Sequence, residues 1–297
     1  MELRHIVVAT DESDAGRRAV RAGIQLAHTV DCRVTVLRAV AVAATPALVA
    51  VGRADHSEEI DYSAGALQAL EQWMEPELER LPKGLRLELA IALGAPAIEI
   101  CRFAEDHEAD LLVLGRKQRS QLGRLLLGDT ADAVARRSSI PCLFVSRDAS
   151  GLSRIVVALD GTHRGLAVLH AALSFTEQTG GRMRAVTVEP EWAGEPGNLS
   201  ASLPAARSEK LRSDMEALLK NGRVERVGWP DAQTARDLLV RRRGDIVEQV
   251  LFAAEASNAE VLVFGYHRGG PPGILEAGST ARRLAHTAPC TVLTIPL

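Results

Sequence analysis

Asp11 and Asp160 are the residues of this chain whose type and position first suggest chemistry. Each closes a short apolar run, Ile6-Val7-Val8-Ala9-Thr10 before the one and Ile155-Val156-Val157-Ala158-Leu159 before the other. Runs of this kind read as strands buried on both faces of a parallel sheet. Ligands of such sheets lie outside the carboxyl ends of the strands. A carboxylate there either accepts a hydrogen bond from an adenine amino group or a ribose hydroxyl, or caps the helix that follows. Gly115 and Gly265 close two further apolar runs and belong to the same kind of crevice. Beyond them, Gly128-Asp129-Thr130 and Gly278-Ser279-Thr280 each open a helical stretch, where backbone N–H groups point at whatever anion, such as a phosphate, lies ahead.

These pairs belong to a longer repetition. Gly94-Ala95-Pro96 is answered by Gly244-Asp245-Ile246, and Pro141-Cys142 by Pro289-Cys290. The aspartates are offset by 149 residues, the glycine landmarks by 150 and the Pro-Cys pairs by 148. Landmarks that keep order and spacing over such a length mark a duplication, and a unit this long is a whole domain. The boundaries are expected at residues 1–148 and 153–297, around a short polar linker that holds the halves close together.

The elements that must position these residues alternate between strand and helix. In the first copy, strands are expected at 3–9, 33–40, 85–92, 109–115 and 142–146, and helices at 15–29, 57–81, 97–108 and 129–137. Residues 41–56 form a long connection, Pro76 should kink or divide its helix, and Pro96 suits a helix start. The strictly alternating Leu85, Leu87, Leu89 and Ile91 place the third strand nearer the sheet edge. In the second copy, strands are expected at 153–159, 182–189, 222–228, 260–265 and 291–295. This is the pattern of an α/β protein with two tandem doubly wound domains, each a parallel sheet flanked by helices.

Composition narrows the partners. The 297 residues are 46% hydrophobic and 25% charged with a net charge of −3, so no global basic field attracts nucleic acid. Arg241-Arg242-Arg243 is the one local basic cluster, and it reads as a solvated turn ahead of Gly244. Cys32, Cys101, Cys142 and Cys290 show no metal-ligand spacing and read as reduced, buried thiols. The absence of a signal peptide or a long apolar run suggests a cytoplasmic chain without a membrane span.

The loop from Gly115 to Thr130 resembles the phosphate-binding loop of the universal stress protein family, written Gly, two residues, Gly, nine residues, Gly, then Ser or Thr. The first-strand Asp, the Gly94-Ala95-Pro96 turn and the strand after Pro141-Cys142 match the same family. The resemblance spans essentially the whole chain as two tandem copies. It implies two Rossmann-like, adenine nucleotide alpha hydrolase-like units, each with a five-stranded parallel sheet. Some members bind ATP, and chains pair through the last strand. An intrachain pseudo-dimer would satisfy that pairing, with a further homodimer left open.

Both copies depart from the nucleotide-binding pattern. In the first, Gln118 replaces the second Gly and Asp129 the hydroxyl residue. A carboxylate about 4 Å from a phosphate, at an effective dielectric of about 20, repels it by roughly 4 kcal/mol. Arg116, Lys117, Arg119, Arg124 or a metal ion would have to offset this. Asp129 reads instead as an N-cap. In the second copy Gly278-Ser279-Thr280 is intact, Arg268 stands at the second Gly, and Pro271 and Pro272 remove two loop donors. The resemblance therefore implies a site in the second half: Asp160 toward adenine or ribose, Val188 offering backbone contacts to the base, and Gly265, Arg268, Gly278, Ser279 and Thr280 around the phosphates. Asp11, Gly115, Gly128, Asp129 and Thr130 are its degenerate equivalents.

No complete catalytic or metal-binding constellation is present in the sequence. His5, His28, His107, His170 and His286 read as structural, whereas His163 and His267 fall nearer the second crevice. The leading expectation is a stress-response or signalling module that binds ATP or another adenine nucleotide in its second domain. The alternative is a nucleotide-free interaction protein that recruits an unidentified protein through its pseudo-dimeric domains. A slow ATPase stands third, because no base to activate water can be named.

Overall fold

The computed structural model describes residues 1–41, 56–118, 125–146, 151–160, 163–189, 213, 239–267 and 279–297. The N-terminal half contains β1 (His5–Thr10), α1 (Asp14–Val30), β2 (Arg33–Val40), α2 (His56–Leu78), β3 (Leu87–Leu93), α3 (Pro96–Asp106), β4 (Leu111–Gly115), a hairpin of β5 (Lys117–Gln118) and β6 (Leu125–Leu126), α4 (Asp129–Arg137) and β7 (Cys142–Val145). The C-terminal half contains β8 (Arg154–Leu159), α5 (His163–Gln178), β9 (Arg182–Glu189), β10 (Leu239–Arg243), α6 (Ile246–Ala256), β11 (Val261–Tyr266), α7 (Ser279–Thr287) and β12 (Thr291–Pro296).

Each half builds five parallel strands, and the halves join into one ten-stranded sheet in the order β10-β9-β8-β11-β12-β7-β4-β1-β2-β3. The single antiparallel step of this sheet is β7 against β12, with Leu143 opposite Leu293. The order in which strands are added reverses beside β1 and β8, so in each half the switch point lies between the first and fourth strands, at Asp11 and Gly115 and at Asp160 and Gly265. β3 ends the sheet, as the alternation of its leucines requires.

Strand pleating sends successive side chains to opposite faces. Ile6 and Val8 enter one core while Val7 and Ala9 enter the other. The first core packs α1, α2 and α5 on one face; the second packs α3, α4, α6 and α7 on the other, and each runs through both halves. Helix boundaries follow local chemistry. Ser13 caps α1 by accepting the Gly16 N–H at 3.2 Å, Asp245 caps α6 by accepting the Glu248 N–H at 3.0 Å, and Pro96 opens α3 where its missing N–H is not needed. Pro76 neither divides nor stops α2 at once: the helix runs on to Leu78 and ends within that turn. Gly94 and Gly244 both turn the chain with φ near +139° and +135°, a conformation that favours glycine.

Three expectations are corrected. The third strand of the second half was expected at 222–228, which lies outside the described residues; the position beside β9 is held by Leu239–Arg243. Arg241-Arg242-Arg243 is therefore strand and not a turn. Long side chains are accommodated on an edge strand, where the Arg242 guanidinium lies 4.4 Å from the Phe252 ring centroid. The Pro-Cys match is out of register: β4 pairs Leu112 with Cys142, whereas β11 pairs Leu262 with Val292. Cys142 thus corresponds to Val292, and Cys290 lies in the preceding turn.

Candidate functional site

At the carboxyl end of β1, the chain turns sharply through Glu12, whose φ of +59° is unusual for a residue with a side chain. Thr10 Oγ1 holds that turn by accepting the Glu12 N–H at 3.0 Å. The Asp11 carboxylate accepts the Ser13 N–H at 3.2 Å and the Ser13 hydroxyl. Gly16 is required directly behind it, because a Cβ there would stand 2.4 Å from Thr10 Oγ1. In the second half, a Cβ on Gly165 would stand 2.8 Å from Asp160 Oδ1. An aspartate followed five residues later by glycine is the readable signature of this packing.

The two crevices are lined differently. In the first half, Lys117 Nζ lies 3.1 Å from Asp11 Oδ2 and Arg38 Nη1 lies 2.7 Å from Glu12 Oε1. The Lys117 stem passes Gly128, where a Cβ would meet Lys117 Cδ at 3.4 Å. Partial burial raises the Asp11 pKa, but the Ser13 hydroxyl, Lys117 and the Ser13 N–H outweigh it, and the carboxyl stays below its ordinary value. Strand register gives the counterparts: Thr10 lies beside Arg38 in β2 and Leu159 beside Thr187 in β9, so Arg38 corresponds to Thr187. Likewise Glu12 corresponds to Gly161, and Lys117 to His267. Arg164, in the first turn of α5, lies 3.3 Å from His267 Nδ1. None of these ion pairs was expected from the sequence, although the contrast of Glu12 with Gly161 and Arg38 with Thr187 carried the signal.

Of the expected nucleotide contacts, Asp160, Gly265, Ser279 and Thr280 fall where strand ends meet a helix start, and Val188 is buried in β9. Arg268 and Gly278 lie outside the described residues. Against Gly265 lie Leu297 Cδ1 and Val168 Cγ2, 2.3 Å and 3.1 Å from where a Cβ would stand. Gly115 ends β4 against the backbone of Ala15, Gly128 precedes α4 beside the Lys117 stem, and Asp129 and Thr130 are exposed at the start of α4. Asp129 does not cap that helix: Gly128 is the capping residue, without a side-chain bond, and Asp129 is the first helical residue. Its carboxylate then acts through the favourable field of the helix start and not through a hydrogen bond to a free N–H.

The structural reading of His5 holds: it is buried, with Nε2 2.9 Å from Thr35 Oγ1 and Nδ1 3.0 Å from the His107 carbonyl. The four cysteines are free and buried. Burial pushes the Cys142 thiol up to about 12 and the others to about 11. Among the described residues no group of three or more His, Cys, Asp or Glu side chains could hold a metal ion. No helix among them is long and apolar enough to cross a membrane.

The model of the universal stress protein family matches residues 2–146 and again residues 151–296. The chain belongs to that family. With membership comes its general role in stress response. A universal stress protein of Methanocaldococcus jannaschii is 31% identical over 146 residues, 48% of this chain and 82% of that protein. One from Bacillus subtilis is 30% identical over 146 residues, covering 47% and 97% respectively. The full tandem arrangement is similar to a crystal structure of a universal stress protein from Archaeoglobus fulgidus, with a TM-score of 0.71, 19% identity, and coverage of 100% of this chain and 99% of that one. At that identity the likeness is one of fold.

Proposed function

We propose that this tandem universal stress protein binds one adenine nucleotide, ATP in the first instance, in the crevice of residues 153–297, and that residues 1–148 serve as its nucleotide-free structural partner in a cytoplasmic stress-response module. The observation that carries this reading is the unequal lining of the two crevices. In the first half the ion pairs Lys117–Asp11 and Arg38–Glu12 engage the groups that would face a base and ribose. Asp129 adds a negative charge where phosphates would sit. The second half replaces Glu12, Arg38, Lys117 and Asp129 by Gly161, Thr187, His267 and Ser279. Asp160 then faces adenine or ribose, the Val188 backbone meets the base, and Gly265, Arg268, Gly278, Ser279 and Thr280 surround the phosphates, where the start of α7 favours an anion.

Titration of nucleotide-stripped full-length protein with ATP is expected to saturate at one equivalent per chain. Gly278→Asp, which imports a carboxylate into the phosphate loop, is expected to abolish binding. Two equivalents would contradict the assigned asymmetry. No binding at millimolar ATP would favour a nucleotide-free interaction module.

A further inference from the structure

The two halves meet at positions that are equivalents of one another, and the residues there differ in charge. Leu143 faces Leu293 across the antiparallel step, Phe144 faces Val292 and Cys142 faces Thr294. Because Cys142 corresponds to Val292 in the repeat, Leu143 corresponds to Leu293, and a pseudo-twofold axis passes between them. Beside that axis α4 and α7 bring together Asp132, Arg136, Arg282 and His286. Asp132 Oδ1 lies 3.3 Å from His286 Nε2 and 3.7 Å from Arg282 Nε, and its Oδ2 lies 2.8 Å from Arg136 Nη1. Only 10% of the Asp132 side chain is exposed. In the register of the repeat Asp132 corresponds to Arg282 and Arg136 to His286. One half therefore places an acid, and the other a base, at the same position.

A second pair of equivalents is equally unlike. Arg116 follows Gly115, and Tyr266 follows Gly265. The fully buried Arg116 side chain crosses to the other half and donates to the carbonyls of Ala288 at 2.9 Å and Cys290 at 2.7 Å. These carbonyls lie just beyond the end of α7, where helix carbonyls leave partial negative charge. Among the described residues the remaining Arg116 atoms, Nε and Nη2, have no hydrogen-bond partner, so these carbonyls are what holds this cation.

Pairing like with like would undo both arrangements. Two C-terminal halves would set Arg282 against Arg282, flanked by two His286, with no carboxylate supplied by α7 among the described residues. Two N-terminal halves would set Asp132 against Asp132, with only the Arg136 of each half to offset them, and would take Arg116 from the end of α7 to the end of α4, where the Ile140 carbonyl accepts the Ser138 hydroxyl at 2.7 Å. We infer that the β7–β12 face is specific for unlike halves: Asp132 opposite Arg282, and Arg116 on the end of α7, select the other half of this chain over a second copy of the same half. Any assembly of whole chains must then use another surface, because this one is closed within each chain.

A double-variant cycle in the full-length protein tests this. Asp132→Arg and Arg282→Asp each create a like-charge contact beside the axis, and each is expected to shift the folding equilibrium about tenfold or more toward the unfolded chain. The combined variant restores an opposite pair with its order reversed, and most of that loss should be recovered. Should the combined variant lose as much as the two singles together, the charges do not select the pairing. If a charge reversal prevents folding, Asp132→Asn, Arg282→Gln and their combination give the same cycle. There the combined loss is expected to fall short of the sum of the single losses, and simple additivity would overturn the inference.

Discussion

Lys117 Nζ lies 3.1 Å from Asp11 Oδ2, and the lysine stem runs past Gly128 toward the carboxylate. The end of β1 and the start of α4 are thereby bridged by a side chain of the protein itself. Two residues after Gly115, which ends β4, a lysine is close enough in space to reach the first-strand aspartate. The same register delivers His267 in the second half, and it lies beside Arg164. One scaffold thus places a lysine beside the first-strand aspartate in one half and a histidine beside Arg164 in the other.

The nucleotide assignment separates these two aspartates. Asp160→Ala removes the carboxylate assigned to adenine or ribose, and a lost hydrogen bond to a charged group is worth about 1.5–3 kcal/mol. ATP affinity is therefore expected to fall about tenfold or more. Asp11→Ala breaks an exposed ion pair, in which 53% of the aspartate and 62% of the lysine side chain face solvent, and two local hydrogen bonds from Ser13. Such pairs contribute about 0–1 kcal/mol. Equilibrium dialysis should show unchanged ATP stoichiometry and affinity for Asp11→Ala; a loss equal to that of Asp160→Ala would move the site into the first half.

Gly115 and Gly265 hold the same place in the repeat but tolerate alanine unequally. A Cβ on Gly115 would stand 2.1 Å from the backbone oxygen of Ala15, so α1 itself would have to move. On Gly265 the 2.3 Å contact is with Leu297 Cδ1, the far end of a flexible side chain that can turn away. Gly115→Ala is expected to destabilise by about 3 kcal/mol, at the upper end of overpacking effects, and Gly265→Ala by about 1 kcal/mol. Thermal unfolding of both variants decides this, and equal losses would contradict it.

How much of this was readable from the sequence depended on where local pattern and tertiary packing agree. Ile6-Val7-Val8 and Val261-Leu262-Val263 were legible as strands because a central parallel strand must be apolar on both faces. Leu239-Val240-Arg241-Arg242-Arg243 was not, because an edge strand tolerates arginines and its composition then looks like a turn. The offset of 150 residues between Gly94 and Gly244 pointed to it nonetheless, since the strand before the first glycine implies one before the second. Pro141-Cys142 and Pro289-Cys290 misled in the opposite way: a conspicuous dipeptide matched, while the strand pairing set a different register. Arg116 was readable only as one of several offsetting loop cations, and its burial against the other half follows from the closing of the sheet.

α2 is fastened to α1 through Glu77. Its carboxylate is 4% exposed and lies 2.5 Å from Arg17 Nη1 and 2.9 Å from Arg21 Nη2, while the Arg17 guanidinium lies 4.2 Å from the Trp73 ring centroid. Removing the acid leaves two cations facing each other in a partly buried setting; removing Arg21, 58% exposed, leaves Glu77 still paired with Arg17. Glu77→Gln is expected to cost about 3 kcal/mol and Arg21→Ala less than about 1 kcal/mol. Urea midpoints of the two variants provide the comparison, and a larger loss for Arg21→Ala would refute the ranking.

Glu260 sets an acid limit on stability in the second half. Its Oε2 accepts the Ser153 N–H at 2.7 Å, the Ser153 hydroxyl at 2.9 Å and the Arg154 N–H at 3.1 Å, and Oε1 lies 2.8 Å from Arg154 Nη2. Partial burial works to raise its pKa, but these donors outweigh it and hold the carboxyl below the ordinary value of 4.5. A carboxyl with a depressed pKa in the fold makes the unfolded chain the tighter proton binder. Its contribution is therefore present in full above pH 4.5 and is lost as the pH falls through the depressed value. Glu260→Gln, which cannot titrate, is expected to lie about 1 kcal/mol below the parent at pH 7. The two unfolding curves should converge as the pH falls below 4.5. Melting temperatures across that range measure the gap, and a gap that stays constant down to pH 3 would show that the carboxylate's charge is not what these donors hold.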